Sequence, residues 1–137
     1  MREILFRGKT AFGAWVHGDL IHRQVWKSKF EVIRSDDNGF DNYTEYEVAT
    51  ETIGQYTGLT DKNGKKIFEG DIVEGRCHSQ WRHELQRCEV AYCRDGFEAR
   101  HHVRCGGESR YYTYKVLFSK DVVVIGNVHD NPELLEV

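Results

Sequence analysis

Hydrophobic and polar residues alternate in several short runs along this chain. Alternation with a period of two is typical of β-strands that bury one face. In residues 3–7 it places Ile4 and Phe6 on one face of a strand and Leu5 on the other. The same kind of pattern predicts further strands at residues 14–22, 30–33, 46–49, 88–93, 97–103 and 110–118. The chain is therefore predicted to be mainly β.

Residues that favour turns separate these runs. Asn63-Gly64 stands between two strand-like runs and readily adopts the positive φ angles of a tight hairpin turn. A second turn around Gly70 leads into the β-branched pair Ile72-Val73. Further bends or turns are predicted at Gly18-Asp19, residues 35–39, residues 41–42, Asp95-Gly96 and residues 105–107. We therefore expect many short strands rather than long helices.

Two stretches have less regular patterns. Trp81, Leu85 and Cys88 fit one face of a helix, so a short helix is an alternative to a strand at that point. The Val-Val-Val-Ile run within residues 121–128 is continuously apolar. Such a run predicts a strand that is buried on both faces and closes the sheet.

Four segments resemble the YopX family of phage and prophage proteins, in the family's order. They are ILFRGK at residues 4–9, WVHGDLI at residues 15–21, the central stretch at residues 53–75 and VIGNVHDNPELL at residues 124–135. The resemblance implies a β-rich chain whose C-terminal part is similar to an SH3-like barrel. We therefore expect an N-terminal β-hairpin lobe at residues 1–52 and an SH3-like barrel at residues 53–137, the two forming one compact protein.

The C-terminal residues predict a short helix. Asn131 is a residue type that caps helices, and Pro132 suits the first helical position. Glu133 in the first turn suits the helix dipole. Leu134 and Leu135 are then expected to face the barrel.

Length and composition fit one ordinary domain or two small lobes. The chain has 137 residues, of which 39% are hydrophobic, with three Trp, seven Tyr and seven Phe. No apolar run approaches the ~20 residues of a membrane span, and the first residues lack a secretory signal. We therefore expect a cytoplasmic protein with no membrane partner, and the resemblance to phage and prophage proteins implies a bacterial host. In that compartment Cys77, Cys88, Cys93 and Cys105 are expected to be thiols rather than disulfides.

Basic residues are concentrated in the middle of the chain, although the formal net charge is −3. Residues 76–110 hold seven Arg and five acids. A strand face with mixed charges explains this composition best. The alternative is a nucleic-acid interface, in which arginines contact phosphates and tyrosines stack on bases. Its candidate residues are Arg100, Arg104, Arg110 and Tyr112.

Cysteine and histidine are the residue types that zinc prefers, and they cluster in this region. His78, His83, His101 and His102 lie among the four cysteines. Structural zinc sites usually pair ligands two to four residues apart, and the wide cysteine spacings here favour buried thiols and surface histidines instead. The same residues are too numerous and scattered to single out a Cys-His catalytic pair.

Acidic residues are the remaining candidates for a metal or for catalysis. Residues 36–47 lack the alternating ligands of a calcium loop. The pairs Asp71 with Glu74 and Asp61 with Glu69 lie at turns or strand edges, where acids are usually solvated. We therefore expect no catalytic residues, no metal and no cofactor.

The sequence thus predicts a non-enzymatic phage or prophage accessory protein that acts by binding. Its partner is expected to be a host or phage protein, or further copies of itself, because the edge strands of such sheets need covering. A nucleic-acid-binding protein that uses the basic, tyrosine-rich residues 94–114 is the alternative.

Overall fold

The computed structural model describes residues 3–36, 43–76, 85–93, 96–105, 107–114 and 121–136. These residues are mainly β, as predicted, with antiparallel strand pairing. The chain divides into two compact units, unit 1 (Met1–Tyr56) and unit 2 (Thr57–Val137). The domain boundary predicted between residues 52 and 53 stays a prediction.

The described strands and helices follow one another along the chain. The strands are β1 Phe6–Lys9, β2 Trp15–Val25, β3 Ser28–Asp36, β4 Tyr43–Val48, β5 Gly54–Thr60, β6 Lys66–Phe68, β7 Asp71–Arg76, β8 Leu85–Cys93, β9 Gly96–Cys105, β10 Glu108–Tyr114 and β11 Val123–Asn127. Two short 3-10 helices lie at Thr50–Thr52 and Pro132–Leu135. The turns predicted within residues 37–42 lie outside the described residues.

In unit 1 the strand order is β4-β3-β2-β1, and the first residues of β5 pair with β1. The first four residues of β2 pair with β1, and its remaining residues, from Asp19 onward, pair with β3. The strand thus changes partners after Gly18 without reversing, so a hairpin turn at Gly18-Asp19 is wrong. A Cβ on Gly18 would lie 2.0 Å from the carbonyl oxygen of Arg34. Gly18 is therefore required for close strand approach.

The core of unit 1 lies where β1 meets β3 and β4. Ile33 is fully buried, and Val32 and Val48 are nearly so. Gly8 lies so close to Val48 that a Cβ at Gly8 would come within 2.8 Å of it. The amide of Ala49 donates a hydrogen bond to the carbonyl oxygen of Lys9 at 2.9 Å. The end of β4 is thereby fixed to the end of β1.

In unit 2 the strand order is β10-β9-β8-β7-β11, and β6 pairs with the last part of β5. The side chains of β8 alternate between buried and exposed positions, as is usual for a strand with one face on the core. Gln86, Cys88 and Val90 are buried, whereas Leu85 is exposed. The core consists of Ile67, Val73, Cys88, Val90, Ala99 and Val122. The strand predicted at residues 88–93 is therefore confirmed, whereas the alternative helix would also need residues 81–84, which lie outside the described part.

The closed SH3-like barrel is not confirmed for the described strands of unit 2. Their order is an open series in which β10 and β11 are the edge strands. All five residues of β11 are half-buried, so the expected strand buried on both faces is wrong for β11. Val122, just before the strand, belongs to the core, and Val124 packs against it. The physical reason is that β11 pairs with β7 alone among the described strands, with a register shift between Val124 and Gly126.

The Asp61 carboxylate ties the β5–β6 hairpin to the start of β11. Its Oδ1 accepts hydrogen bonds from the amides of Asn63 and Lys65, each at 2.9 Å, and its Oδ2 accepts one from the amide of Val124 at 3.0 Å. The predicted turn is confirmed by the bond from the Asp61 amide to the Lys65 carbonyl and by Gly64 at φ 81°. Asp61 is only 7% exposed, so the expectation that it is solvated is wrong.

A second acid of unit 2 is also buried. Asp71 is 2% exposed, and its Oδ2 accepts a hydrogen bond from the amide of Phe68 at 2.8 Å. This bond closes the turn around Gly70, which has φ 91°. The turn predicted there is confirmed, and the carboxylate is a structural acceptor rather than a solvated group.

The C-terminal helix is present as a 3-10 helix, Pro132–Leu135. Asn131 is the N-cap residue and Pro132 lies at the start of the helix, as predicted, but the Asn131 side chain makes no cap hydrogen bond. The Oδ1 atom of Asn131 instead accepts a long hydrogen bond from the amide of Asn127, at 3.4 Å. Leu134 and Leu135 are half-buried, and Leu134 lies against Gly126 of β11.

Replacing Leu134 with Asp is expected to destabilise unit 2 by about 1–2 kcal/mol, because a charged group would replace a half-buried apolar side chain. Thermal unfolding measures this change as a lower melting temperature. Glu133→Ala, at an exposed position of the same helix, is the control. An unchanged melting temperature for Leu134→Asp would show that the helix is not docked.

No helix within the described residues has the length and apolar character that crossing a bilayer requires.

Candidate functional site

A cavity of about 660 Å³ opens on unit 1. One wall is the loop between β1 and β2 together with the start of β2, and the other wall is the second half of β4 and the residue after it. The lining residues are Thr10, Ala11, Phe12, Ala14, Val16, Glu45, Tyr46, Glu47, Val48 and Ala49. We call this site the β4 cavity.

The β4 cavity follows the edge of a strand rather than one face of a sheet. Successive side chains of a strand point to opposite faces, so a cavity on one face would be lined by every second residue. Here all the residues from Glu45 to Ala49 line the cavity. Among the described strands, β4 pairs with β3 alone. The cavity therefore lies along the outer edge of β4, where the backbone can accept a partner.

Acidic side chains lie at the border of this apolar cavity. Arg23 and Arg34 donate hydrogen bonds to the carboxylate of Glu45, that from Arg34 at 3.0 Å, and these bonds lower the pKa of Glu45. Glu47 is exposed and enters no ion pair within the described residues. Glu47 is thus the carboxylate that a cation on a partner would meet.

Two hairpin loops of unit 1 carry fully exposed aromatic side chains. Phe12, in the loop between β1 and β2, is 99% exposed and lines the β4 cavity. Trp26, in the loop between β2 and β3, is 92% exposed and has a φ of 58°. A large apolar side chain in solvent gives its own fold no burial energy. Sequence inspection missed both residues, because alternation does not reveal which aromatic residues lie in loops.

The four residues predicted to bind nucleic acid lie on β9 and β10, but their register positions do not form one stripe. Thr113 pairs with Arg100 and Ser109 with Arg104, whereas Arg110 pairs with Val103. Successive register positions belong to opposite faces of a sheet, so Arg100 and Arg104 fall at positions of one face and Arg110 and Tyr112 at positions of the other.

Both arginines of this group whose side chains are described lie close to acids. The Nε of Arg100 donates to Glu98 at 2.5 Å, and Arg110 lies 3.5 Å from Glu108. Such pairing reduces the positive charge offered to phosphate. The side chains of Arg104 and Tyr112 lie outside the described part, and the nucleic-acid alternative stays a prediction.

Most of the candidate zinc ligands that the structure describes are buried or contact other groups. Cys88 is a fully buried core thiol, and neither it nor Cys93 is in a disulfide. His101 contacts the carbonyl oxygen of Arg87 at 3.0 Å, and His102 lies 3.3 Å from Glu89. Within the described residues, no group of three or more His, Cys, Asp or Glu could hold a metal. Cys77, His78, His83 and the Cys105 side chain lie outside that description.

A second cavity, of about 400 Å³, lies in unit 2 between the sheet and the C-terminal 3-10 helix. Three of its lining residues, Glu74, Arg87 and His102, are already paired, since Arg87 donates to Glu74 at 3.1 Å and His102 contacts Glu89. The β4 cavity is larger and more apolar, so it is the stronger candidate site.

The described part of the chain defines an antiparallel β protein of two compact units, one of which carries an apolar cavity along a strand edge. The family described as YopX protein matches residues 5–136, and the chain belongs to the YopX family, as the sequence resemblance predicted. The chain is also similar to the crystal structure of protein EF1440 from Enterococcus faecalis, with 27% sequence identity and a TM-score of 0.53 over 99% of this chain and 100% of that one. Comparison with curated proteins gave no match.

Proposed function

We propose that this protein is a non-enzymatic phage or prophage accessory protein that acts by binding a protein partner in the cytoplasm of a bacterial host. The β4 cavity is the binding site, and it takes an apolar side chain of the partner. The observation that carries this proposal is the lining of the cavity by five consecutive residues at the edge of β4. A strand edge combined with an apolar cavity offers both backbone hydrogen bonds and apolar burial to a partner.

The size and charge of the β4 cavity define the partner's chemistry. Its volume of about 660 Å³ lies within the ~300–1,000 Å³ that is typical of ligand pockets, which is ample for an aromatic side chain. Glu47 at its border favours a cation next to that side chain. The recognised element is thus an aromatic or large aliphatic residue beside Lys or Arg.

The lining chemistry supports binding rather than catalysis. Among the described lining residues, the acidic side chains are those of Glu45 and Glu47, and Glu45 is held by two arginines. Catalysis by a side chain needs a nucleophile or base oriented by a neighbour. An apolar cavity with one available carboxylate suits recognition better.

Titration of a lysine-flanked tryptophan peptide is expected to shift the backbone amide NMR signals of the β4 cavity, at residues 10–14 and 45–49. The probe is a synthetic peptide of about eight residues, used up to about 1 mM because weak single-anchor binding is expected. Glu47→Lys is expected to weaken binding about 5-fold, since it replaces attraction by repulsion at the border.

Glu51→Lys makes the same charge change at an exposed residue outside the cavity and is expected to bind like the wild type. The proposal fails if the cavity amides do not shift, or if Glu47→Lys and Glu51→Lys weaken the peptide equally.

The same titration with single-stranded and duplex DNA tests the alternative function. Salt-dependent shifts of the backbone amide NMR signals of β9 and β10 that are lost in an Arg100→Ala variant would favour nucleic-acid binding over protein binding at the β4 cavity.

A further inference from the structure

The loop between β2 and β3 contains a residue type that is unusual at its position. Val25 pairs with Ser28, so Trp26 and Lys27 form a two-residue hairpin loop. The φ of 58° at Trp26 is a conformation that glycine or asparagine adopts readily and a bulky residue rarely adopts. Trp26 is also 92% exposed. The side chain therefore gains nothing from its own fold at a position that suits glycine better, which indicates selection for another role.

The chemistry of this loop matches the β4 cavity. Val25 is 59% exposed beside Trp26, and Lys27 and Lys29 are exposed on either side of Ser28. The Nε2 atom of Gln24 donates a hydrogen bond to the carbonyl oxygen of Trp26 at 3.3 Å, which helps to hold the loop. The loop thus presents an aromatic side chain next to cations, the combination that an apolar cavity with an acidic border selects.

We infer that the partner in the β4 cavity is a second copy of this chain, whose Trp26 enters the cavity while its Lys27 approaches Glu47. The inference rests on the proposed function and names the occupant of the same site. Trp26 does not line the β4 cavity of its own chain. Filling the cavity with Trp26 therefore requires another molecule.

This contact joins two different surfaces, the loop of one copy and the cavity of the next. Such a contact forms a two-fold dimer where two copies insert their loops into each other's cavities, and a ring or an open filament where each loop enters the cavity of the next copy. Each copy uses its loop once and its cavity once. If one variant lacks a working cavity and another lacks a working loop, a mixture of the two still contains one competent loop and one competent cavity.

Sedimentation velocity between about 1 µM and about 1 mM tests this assembly. The wild type is expected to associate as its concentration rises, and Trp26→Gly to associate at least 10-fold more weakly. Its melting temperature is expected to stay unchanged or rise, because glycine suits the positive φ. Tyr92→Ser removes another exposed aromatic side chain, that of a residue 59% exposed in unit 2, and is expected to associate like the wild type.

Mixing two blocked variants tests the direction of the contact. Ala11→Trp fills the cavity and keeps Trp26, whereas Trp26→Gly keeps the cavity. Each variant alone is expected to be monomeric, and an equimolar mixture is expected to form a dimer that does not grow. If Ala11→Trp does not fold, the charge-reversal pair replaces it. Lys27→Glu and Glu47→Lys each weaken association, and the chain carrying both recovers it.

The inference is overturned if the wild type stays monomeric at about 1 mM, or if Trp26→Gly assembles like the wild type. If the lysine-flanked tryptophan peptide still shifts the cavity amides of a monomeric protein, the proposed binding function stands and its partner is another protein. If neither the peptide nor a second copy occupies the cavity, both proposals fall.

Discussion

Replacing Gly18 with alanine is expected to destabilise the protein by about 4 kcal/mol or to prevent folding. The added Cβ would lie 2.0 Å from the Arg34 carbonyl oxygen and 3.2 Å from the Ser35 Cα, and neither backbone atom can move without disturbing β3. The φ of 157° at Gly18 is a second reason for the loss, because L-residues rarely adopt that backbone conformation. A loss of that size is a large part of the 5–15 kcal/mol that typically stabilises a domain. Urea unfolding measures it.

Gly64→Ala is the matched control for this substitution. Gly64 also has a positive φ, of 81°, but a Cβ there would have no atom within 4 Å. Its expected cost is therefore only the backbone term of about 1 kcal/mol. Equal losses for the two variants would show that backbone conformation, rather than the contact with β3, requires glycine at position 18.

Replacing Asp61 with alanine is expected to cost about 3 kcal/mol or more. Three backbone amides, those of Asn63, Lys65 and Val124, would lose their acceptor in a buried position. Leaving a buried donor unsatisfied costs about 1–3 kcal/mol. Asp61→Asn is expected to cost less, because the amide oxygen can still accept a hydrogen bond. Asp19→Asn, at an exposed position of β2, is the control and should change stability little.

The contribution of Asp61 to the free energy of unfolding is expected to depend on pH. Burial by itself raises the pKa of this carboxyl, but hydrogen bonds from the amides of Val124, Lys65 and Asn63 and the charge of Lys65 outweigh it, and the pKa falls below its ordinary 3.8. The unfolded chain therefore binds the proton first as pH falls. The stabilisation is complete above pH 3.8 and is lost as pH drops through the folded pKa.

Unfolding of the wild type and Asp61→Asn in urea at about pH 7 and about pH 2.5 checks this dependence. The difference in the free energy of unfolding between the two proteins is expected to shrink at the lower pH. A constant difference would mean that the charge of Asp61 contributes nothing beyond hydrogen-bond geometry.

Much of the fold could be predicted from local sequence, since alternation and turn chemistry act over a few residues. The turn at Asn63-Gly64, the strand at residues 88–93 and the break near Gly107 all occur as predicted. The candidate site could not be predicted in the same way. Its two walls, residues 10–16 and residues 45–49, are about thirty residues apart in the chain and meet only because β1 to β4 pair in one particular order.

The sequence by itself determined that this chain is a β protein of the YopX family with reversals at its Asn-Gly and other glycine turns, because these preferences are set by neighbouring residues. Tertiary structure alone decided that Gly18 continues a strand, that Asp61 is buried, and that the edge of β4 borders an apolar cavity. Each of these depends on contacts between distant segments. The burial and strand pairing of such a residue depend on which strand lies beside it, and the local sequence pattern does not specify that neighbour.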